Sequence, residues 1–251
     1  MNNYIKAEFI KDKRSANATL MKLVPVIVVV FNLLMVSLMG VAPTGKSYVM
    51  ATTFNWYPIL ILPVILSLLV VNSCSKETPS HLVSQKSLGL SGSKTLFAKN
   101  VVVLVELLVM LILSSVLADG LGIFIFKETI HIKTLIMATI TLFIGSLPVV
   151  GMSFLLFYVF HKKVVVILIN FLLVFPSALI AVQSKWVFFP WAYSLRMLAP
   201  IIGVHPNGTF LTEENPLMTT HATYLGILLS LMVYLLVLIT LNILIRRKNH
   251  D

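Results

Sequence analysis

Six apolar stretches, near residues 23–42, 56–74, 100–126, 134–160, 164–183 and 223–245, dominate this chain of 251 residues. Each is long enough to cross a bilayer as a helix, which takes roughly 20 residues. In hydrocarbon every backbone N–H and C=O must be satisfied within the segment, so single stretches of this kind cross as helices. Charged residues make up only 11% of the chain, against about 25% in an average soluble domain. Mean hydropathy is +0.98. A water-soluble globule of this length cannot hide so much apolar surface. Composition therefore excludes a soluble enzyme, a disordered chain and a nucleic-acid-binding domain. The predicted fold class is an all-α polytopic membrane protein, one transmembrane domain over residues 1–251.

The position of the charges gives an orientation. Lys6, Lys11, Lys13, Arg14, Lys22, Lys76, Lys86, Lys94, Lys99, Lys162, Lys163, Arg246, Arg247 and Lys248 fall on one side of the six stretches. Set against four acids, these fourteen basic residues give that side a net +10. The alternate side holds Lys46, Lys127, Lys133, Lys185 and Arg196 against three acids, a net +2. The positive-inside rule then predicts both termini in the cytoplasm. The basic side also faces anionic lipid headgroups. The first apolar stretch begins late and is too long for a signal h-region, so no secretory signal peptide is expected. Cys74 is the single cysteine, which leaves no disulfide within the chain.

Three segments outside the stretches have character of their own. Residues 4–14 read as an amphipathic helix lying in the interface, with Tyr4, Ile5 and Phe9 on one stripe and Lys6, Lys13 and Arg14 flanking it. The loop 75–99 is the longest connection on the basic side, and a loop of that length usually has a function. A short helix is predicted around Ser80–Leu88, and Thr78, His81, Gln85, Lys86 and Lys94 are candidates for docking a soluble partner. On the other side, residues 186–200 are apolar and aromatic but interrupted by Pro190 and Pro200. Nine residues between prolines suit a re-entrant or interfacial helix, with Trp186, Trp191 and Tyr193 at headgroup depth.

Gly40-Val41-Ala42-Pro43-Thr44-Gly45-Lys46-Ser47 satisfies the phosphate-loop pattern G-x-x-x-x-G-K-[ST]. Its context is wrong, because the pattern needs a preceding β-strand and a following helix N-terminus. No ATP is expected there. Glu213-Glu214 resembles the paired acids of intramembrane proteases. None of the six histidines lies inside a stretch, none is close to another at ligand spacing, and no metal site is expected. Glu106 and Asp119 lie within or at the edge of the third stretch. An ionisable group there is a functional candidate by default. Glu106 is expected to face other helices and to take hydrogen bonds or a basic partner such as Lys99, in a structural or a conformational-coupling role. Pro25, Pro58, Pro63, Pro148 and Pro176 mark kinks.

The layout resembles that of type-2 ABC transporter permeases. More narrowly, it is similar to the permease subunits of lantibiotic-immunity exporters. The opening Asn3-Tyr4-Ile5-Lys6-Ala7-Glu8-Phe9-Ile10-Lys11-Asp12-Lys13-Arg14 and the segment Pro190-Trp191-Ala192-Tyr193-Ser194-Leu195-Arg196 carry that likeness. Asp12 and Ser194 depart from it, standing where a hydrophobic residue and a proline are more usual. The resemblance implies a subunit of a bacterial cell membrane exporter, paired with a second permease, the same or a related chain. A separate ATPase would bind ATP-Mg and dock on residues 75–99, so this chain is expected to be no enzyme and to hold no cofactor. The substrate implied is a cationic antimicrobial peptide expelled for self-immunity, with Trp186, Trp191, Tyr193 and Arg196 as candidate contacts. The alternatives are export of another drug, lipid or bacteriocin, an intramembrane enzyme, and a non-transporting immunity protein.

Overall fold

The computed structural model describes residues 1–77, 80, 81, 84 and 87–250. Among the described residues there is no β-strand, only an isolated bridge between Val204 and Phe210. In chain order the main helices are α1 (Asn2–Asp12), α2 (Ala16–Met39), α3 (Tyr48–Leu60), α4 (Leu62–Cys74), α5 (Gly92–Phe126), α6 (Ile132–Phe160), α7 (Lys163–Ile180), α8 (Tyr193–Ile202) and α9 (His221–His250). Five of them, α2, α5, α6, α7 and α9, are each long and apolar enough to cross a membrane. The pair α3–α4, bent by 55°, gives up to six crossings if it counts as one. The protein is an all-α membrane protein.

Helix α6 is the centre of the bundle and touches α4, α5, α7, α8 and α9. Its buried face meets Phe54, Leu69, Leu107, Met110 and Leu198 in one core. Leu34, Leu38, Val116, Leu172 and Leu228 are exposed. In water such an apolar exterior would aggregate, whereas in a bilayer it is the surface that meets lipid. The helix ends fix which residues share a level. Helix α1, the start of α5 and the ends of α6 and α9 lie together at one end of the bundle, through contacts of α1 with α5 and of Tyr158 with the Leu244 carbonyl.

Several boundaries differ from those read from hydropathy, because hydropathy marks hydrocarbon whereas helices continue into the interface. Helix α2 begins at Ala16 rather than 23, where Ser15 caps it by accepting the Asn17 and Ala18 N–H groups. Helix α5 begins at Gly92 rather than 100, so Lys94 and Lys99 are helical and not loop residues. The stretch 56–74 is not one straight helix. It starts at Tyr48, passes through a π-turn at Thr52–Trp56 and breaks at Ile61. Pro63 has no N–H to offer the Ile59 carbonyl, which accounts for the bend. Pro176 likewise interrupts α7 after Val174.

The segment 186–200 is helical only in its second half. Ser184–Phe188 and Pro190–Ala192 are short 3-10 turns, and α8 then runs through Pro200 to Ile202. Two glycines let α8 sit close to its neighbours. A Cβ at Gly145 of α6 would come within 2.9 Å of the Ser194 Cα, and one at Gly226 of α9 would run into the Met197 Cγ.

Candidate functional site

Helix α1 turns its acids inward. Tyr4, Glu8 and Asp12 recur every fourth residue and so share one face. Glu8 and Asp12 are only 4% and 6% exposed, whereas Phe9 and Ile10 are exposed. The expected stripe of Tyr4, Ile5 and Phe9 is therefore corrected: Tyr4 and Ile5 are half-buried, but Phe9 leaves that face and the acids take it. The reason is the set of cations beneath them, which a count of apolar residues does not register.

Lys99 of α5 lies 3.3 Å from Glu8 and 3.4 Å from Glu77, and donates to the Ser73 carbonyl at 2.9 Å. Lys11 lies 2.6 Å from Glu8 and 3.1 Å from Glu77. Lys76 donates to Asp12, and the Ser91 N–H donates to the Tyr4 hydroxyl at 3.3 Å. Helix α1 is thus clipped to both ends of the connection between α4 and α5. A buried ion pair is worth little net when intact, but costs much when one partner is removed.

Glu106 does not pair with Lys99. It accepts from Asn17 of α2 at 2.8 Å, and Asn17 also donates to the Leu69 carbonyl at 3.0 Å. Its other polar neighbour is Asp12. Burial pushes the Asp12 carboxyl up, but its interactions with neighbouring Glu106, Lys76 and Ser15 hold it below its ordinary 3.8. Burial pushes Lys11 down, and its bonds to Glu8 and Glu77 overcome that and raise it above 10.5.

Of the docking candidates, Lys94 is exposed in the first turn of α5 and His81 is exposed in a helical position shared with Ser80, Ser84 and Ser87. Thr78, Gln85 and Lys86 lie outside the described residues. Asp119 is half-buried near the far end of α5, and its Oδ1 has no hydrogen-bond partner.

The aromatic candidates at the opposite end are mostly inside the protein. Trp186 is 6% exposed and stands edge-on to Tyr193, which is 1% exposed and donates to the Val187 carbonyl. Arg196 is buried and donates to the Leu217 carbonyl at 3.1 Å. Trp191 is half-buried and its indole N–H donates to Asn170 of α7 at 3.1 Å. Asn170 in turn donates to Ser67 of α4 and Ser153 of α6. Its amide is satisfied at three points and fastens the segment before α8 into the bundle. In sequence Asn170 is one polar residue within an apolar stretch, and no local pattern marks it.

The phosphate-loop look-alike has its donors occupied. Ser47 caps α3, and the Glu128 carboxylate accepts from the Ser47 hydroxyl and from the Tyr48 and Val49 N–H groups at 2.6, 3.0 and 3.1 Å. A carboxylate at a helix N-terminus fills the place an anion would take. Lys46 donates to the Leu211 carbonyl and lies 6.0 Å from the Phe210 ring centroid. Glu213 and Glu214 are exposed in a turn, and no group of three or more His, Cys, Asp or Glu side chains among the described residues could hold a metal.

The helices and this charged clip define an all-α membrane protein whose buried ionic centre lies at the end shared by α1 and the foot of α5. No family model, curated protein or solved structure matches the chain.

Proposed function

We propose that the chain is the membrane-spanning permease subunit of an ATP-driven ABC exporter in a bacterial cell membrane, with both termini in the cytoplasm. It pairs with a second permease, and a separate ATPase docks on the connection between α4 and α5. The exported compound is a cationic, lantibiotic-like peptide.

The observation that carries this reading is the clip of α1. Glu8, Lys11 and Asp12 join the N-terminal helix to Lys76, Glu77 and Lys99, the two roots of the connection that would receive the ATPase. A load applied to that connection is then shared by α1, α4 and α5, as a subunit driven from outside requires. The charge asymmetry of the sequence supports the orientation, and the likeness of the N-terminal and Pro190–Arg196 segments supports the substrate class.

Co-purification tests it. The chain and the ATPase encoded beside it should purify as a complex from membranes, and scrambling residues 78–94 should release the ATPase. A chain that exports peptide when purified without any ATPase contradicts the proposal.

A further inference from the structure

The buried ionic centre is one positive charge short. Glu8, Asp12 and Glu77 are paired with Lys11, Lys76 and Lys99, acid for base. Glu106, the polar neighbour of Asp12, is only 4% exposed and forms no ion pair among the described residues. The other basic residues of α1, α2 and the elbow between them, Lys6, Lys13, Arg14 and Lys22, are exposed.

The deficit has a location. Asp12 gives its Oδ1 to Lys76 and to the Ser15 hydroxyl, while its Oδ2 is buried and has no hydrogen-bond partner among the described residues. Asn17 is 0% exposed. Both of its side-chain N–H groups are used, on Glu106 and on the Leu69 carbonyl, so the amide is held the way round it is. Its Oδ1 is likewise buried without a partner, and the planar amide keeps that oxygen beside the Glu106 carboxylate. The N-terminus of α2 does not supply the missing donors, since the Ser15 hydroxyl already accepts from its Asn17 and Ala18 N–H groups. A buried acceptor without a donor is costly, and a buried carboxylate without a counter-charge more so.

We propose that Asp12 Oδ2, Asn17 Oδ1 and the Glu106 carboxylate hold one alkali-metal cation, at the elbow of α1 and α2 against α5. Carboxylate and amide oxygens are the ligands that hard cations take. A proton on Glu106 would restore the charge but could meet only one of the two orphaned oxygens. A water would meet both and leave the charge. A divalent ion would overshoot a deficit of one. The site is independent of the exporter reading, because it needs neither an ATPase nor a substrate.

The test is thermal unfolding of the full-length chain in detergent, at neutral pH and constant ionic strength, with N-methyl-D-glucamine chloride exchanged for sodium or potassium chloride. The wild-type chain should unfold about 2–4 °C higher when the alkali salt reaches about five times its dissociation constant, and the rise should saturate. The salt that acts at the lower concentration identifies the preferred ion. Glu106→Gln, which still accepts from Asn17, should lose the rise, and so should Asp12→Asn. Glu128→Gln, at the opposite end of the bundle, should keep it. Equal unfolding temperatures of the wild-type chain in the three salts, a result that needs no variant to fold, overturn the proposal. So does an undiminished rise in folded Glu106→Gln, which would put the ion elsewhere.

Discussion

Lys99 of α5 and Glu8 of α1 meet at 3.3 Å across 91 residues of sequence, both almost fully buried. A charge pair in that position is a fastening. Removing either side chain takes one ion-pair partner from a buried charge, leaving Glu8 to Lys11 alone or Lys99 to Glu77 alone.

Replacing Lys99 by Met should therefore destabilise the protein by about 3 kcal/mol. The double change with Glu8→Gln should cost less than the two single changes together, since the second removes a buried charge that the first leaves one partner short. Thermal unfolding of the four chains in one detergent checks the coupling. Additive losses would mean that the pair is not a unit.

Glu106 offers a sharper contrast. Gln at 106 can still accept from Asn17, so Glu106→Gln should fold within about 1 kcal/mol of wild type. Leu at 106 leaves the buried Asn17 amide without that acceptor and should cost about 2–3 kcal/mol. If Glu106→Gln also keeps full function, Glu106 serves packing and not conformational coupling.

The docking of α1 should depend on pH at both extremes. The Asp12 carboxyl is lowered in the fold, so its contribution is present above 3.8 and is lost as pH falls through the lower folded value. The Lys11 amine is raised, so its contribution is present below 10.5 and is lost as pH rises through the higher folded value. Spin labels at Asn3→Cys and Ser93→Cys, in a Cys74→Ser chain, should report a constant distance between these limits and a longer one outside them. Asp12→Asn should abolish the acid limb alone.

Met197 separates two glycine contacts that look alike. Gly226→Ala meets only the flexible Met197 side chain and the Trp186 ring edge, the latter at 3.6 Å. Gly145→Ala meets the Ser194 backbone at 2.9 Å as well as Met197. Each alone should cost about 1–3 kcal/mol. Met197→Ala should rescue the first and not the second, read as unfolding temperature. Equal rescue would show that α8 is free to shift away from α6.

Glu128→Ala should cost about 1–2 kcal/mol, because it uncaps the Tyr48 and Val49 N–H groups. The loss should show as faster hydrogen exchange at the start of α3.

The apolar stretches were legible because hydropathy reports hydrocarbon directly, and all six have a helical counterpart. What hydropathy does not report is where a helix stops beyond the hydrocarbon, so Ala16 and Gly92 began their helices earlier than expected. The break at Ile61 was signalled by Pro58 and Pro63, but the start of that crossing at Tyr48 was hidden by its polar first turns. At the buried ionic centre, the spacing of Tyr4, Glu8 and Asp12 was available in the sequence. That spacing alone does not mark burial, because buried acids betray themselves only through partners far along the chain, here Lys76 and Lys99. The aromatics before α8 show the converse. Trp186 and Tyr193 look like interface anchors in sequence, yet they pack against each other, and Trp191 is held by Asn170, a residue no local pattern marks.

The most direct measurement is the sensitivity of cells to a cationic lantibiotic peptide when they express this chain alone, the ATPase encoded beside it alone, or both. Tolerance only when both are present, lost when residues 78–94 are scrambled, is the result predicted for an ATP-driven exporter subunit. Full protection by this chain alone would contradict it and make the protein an immunity factor that needs no engine.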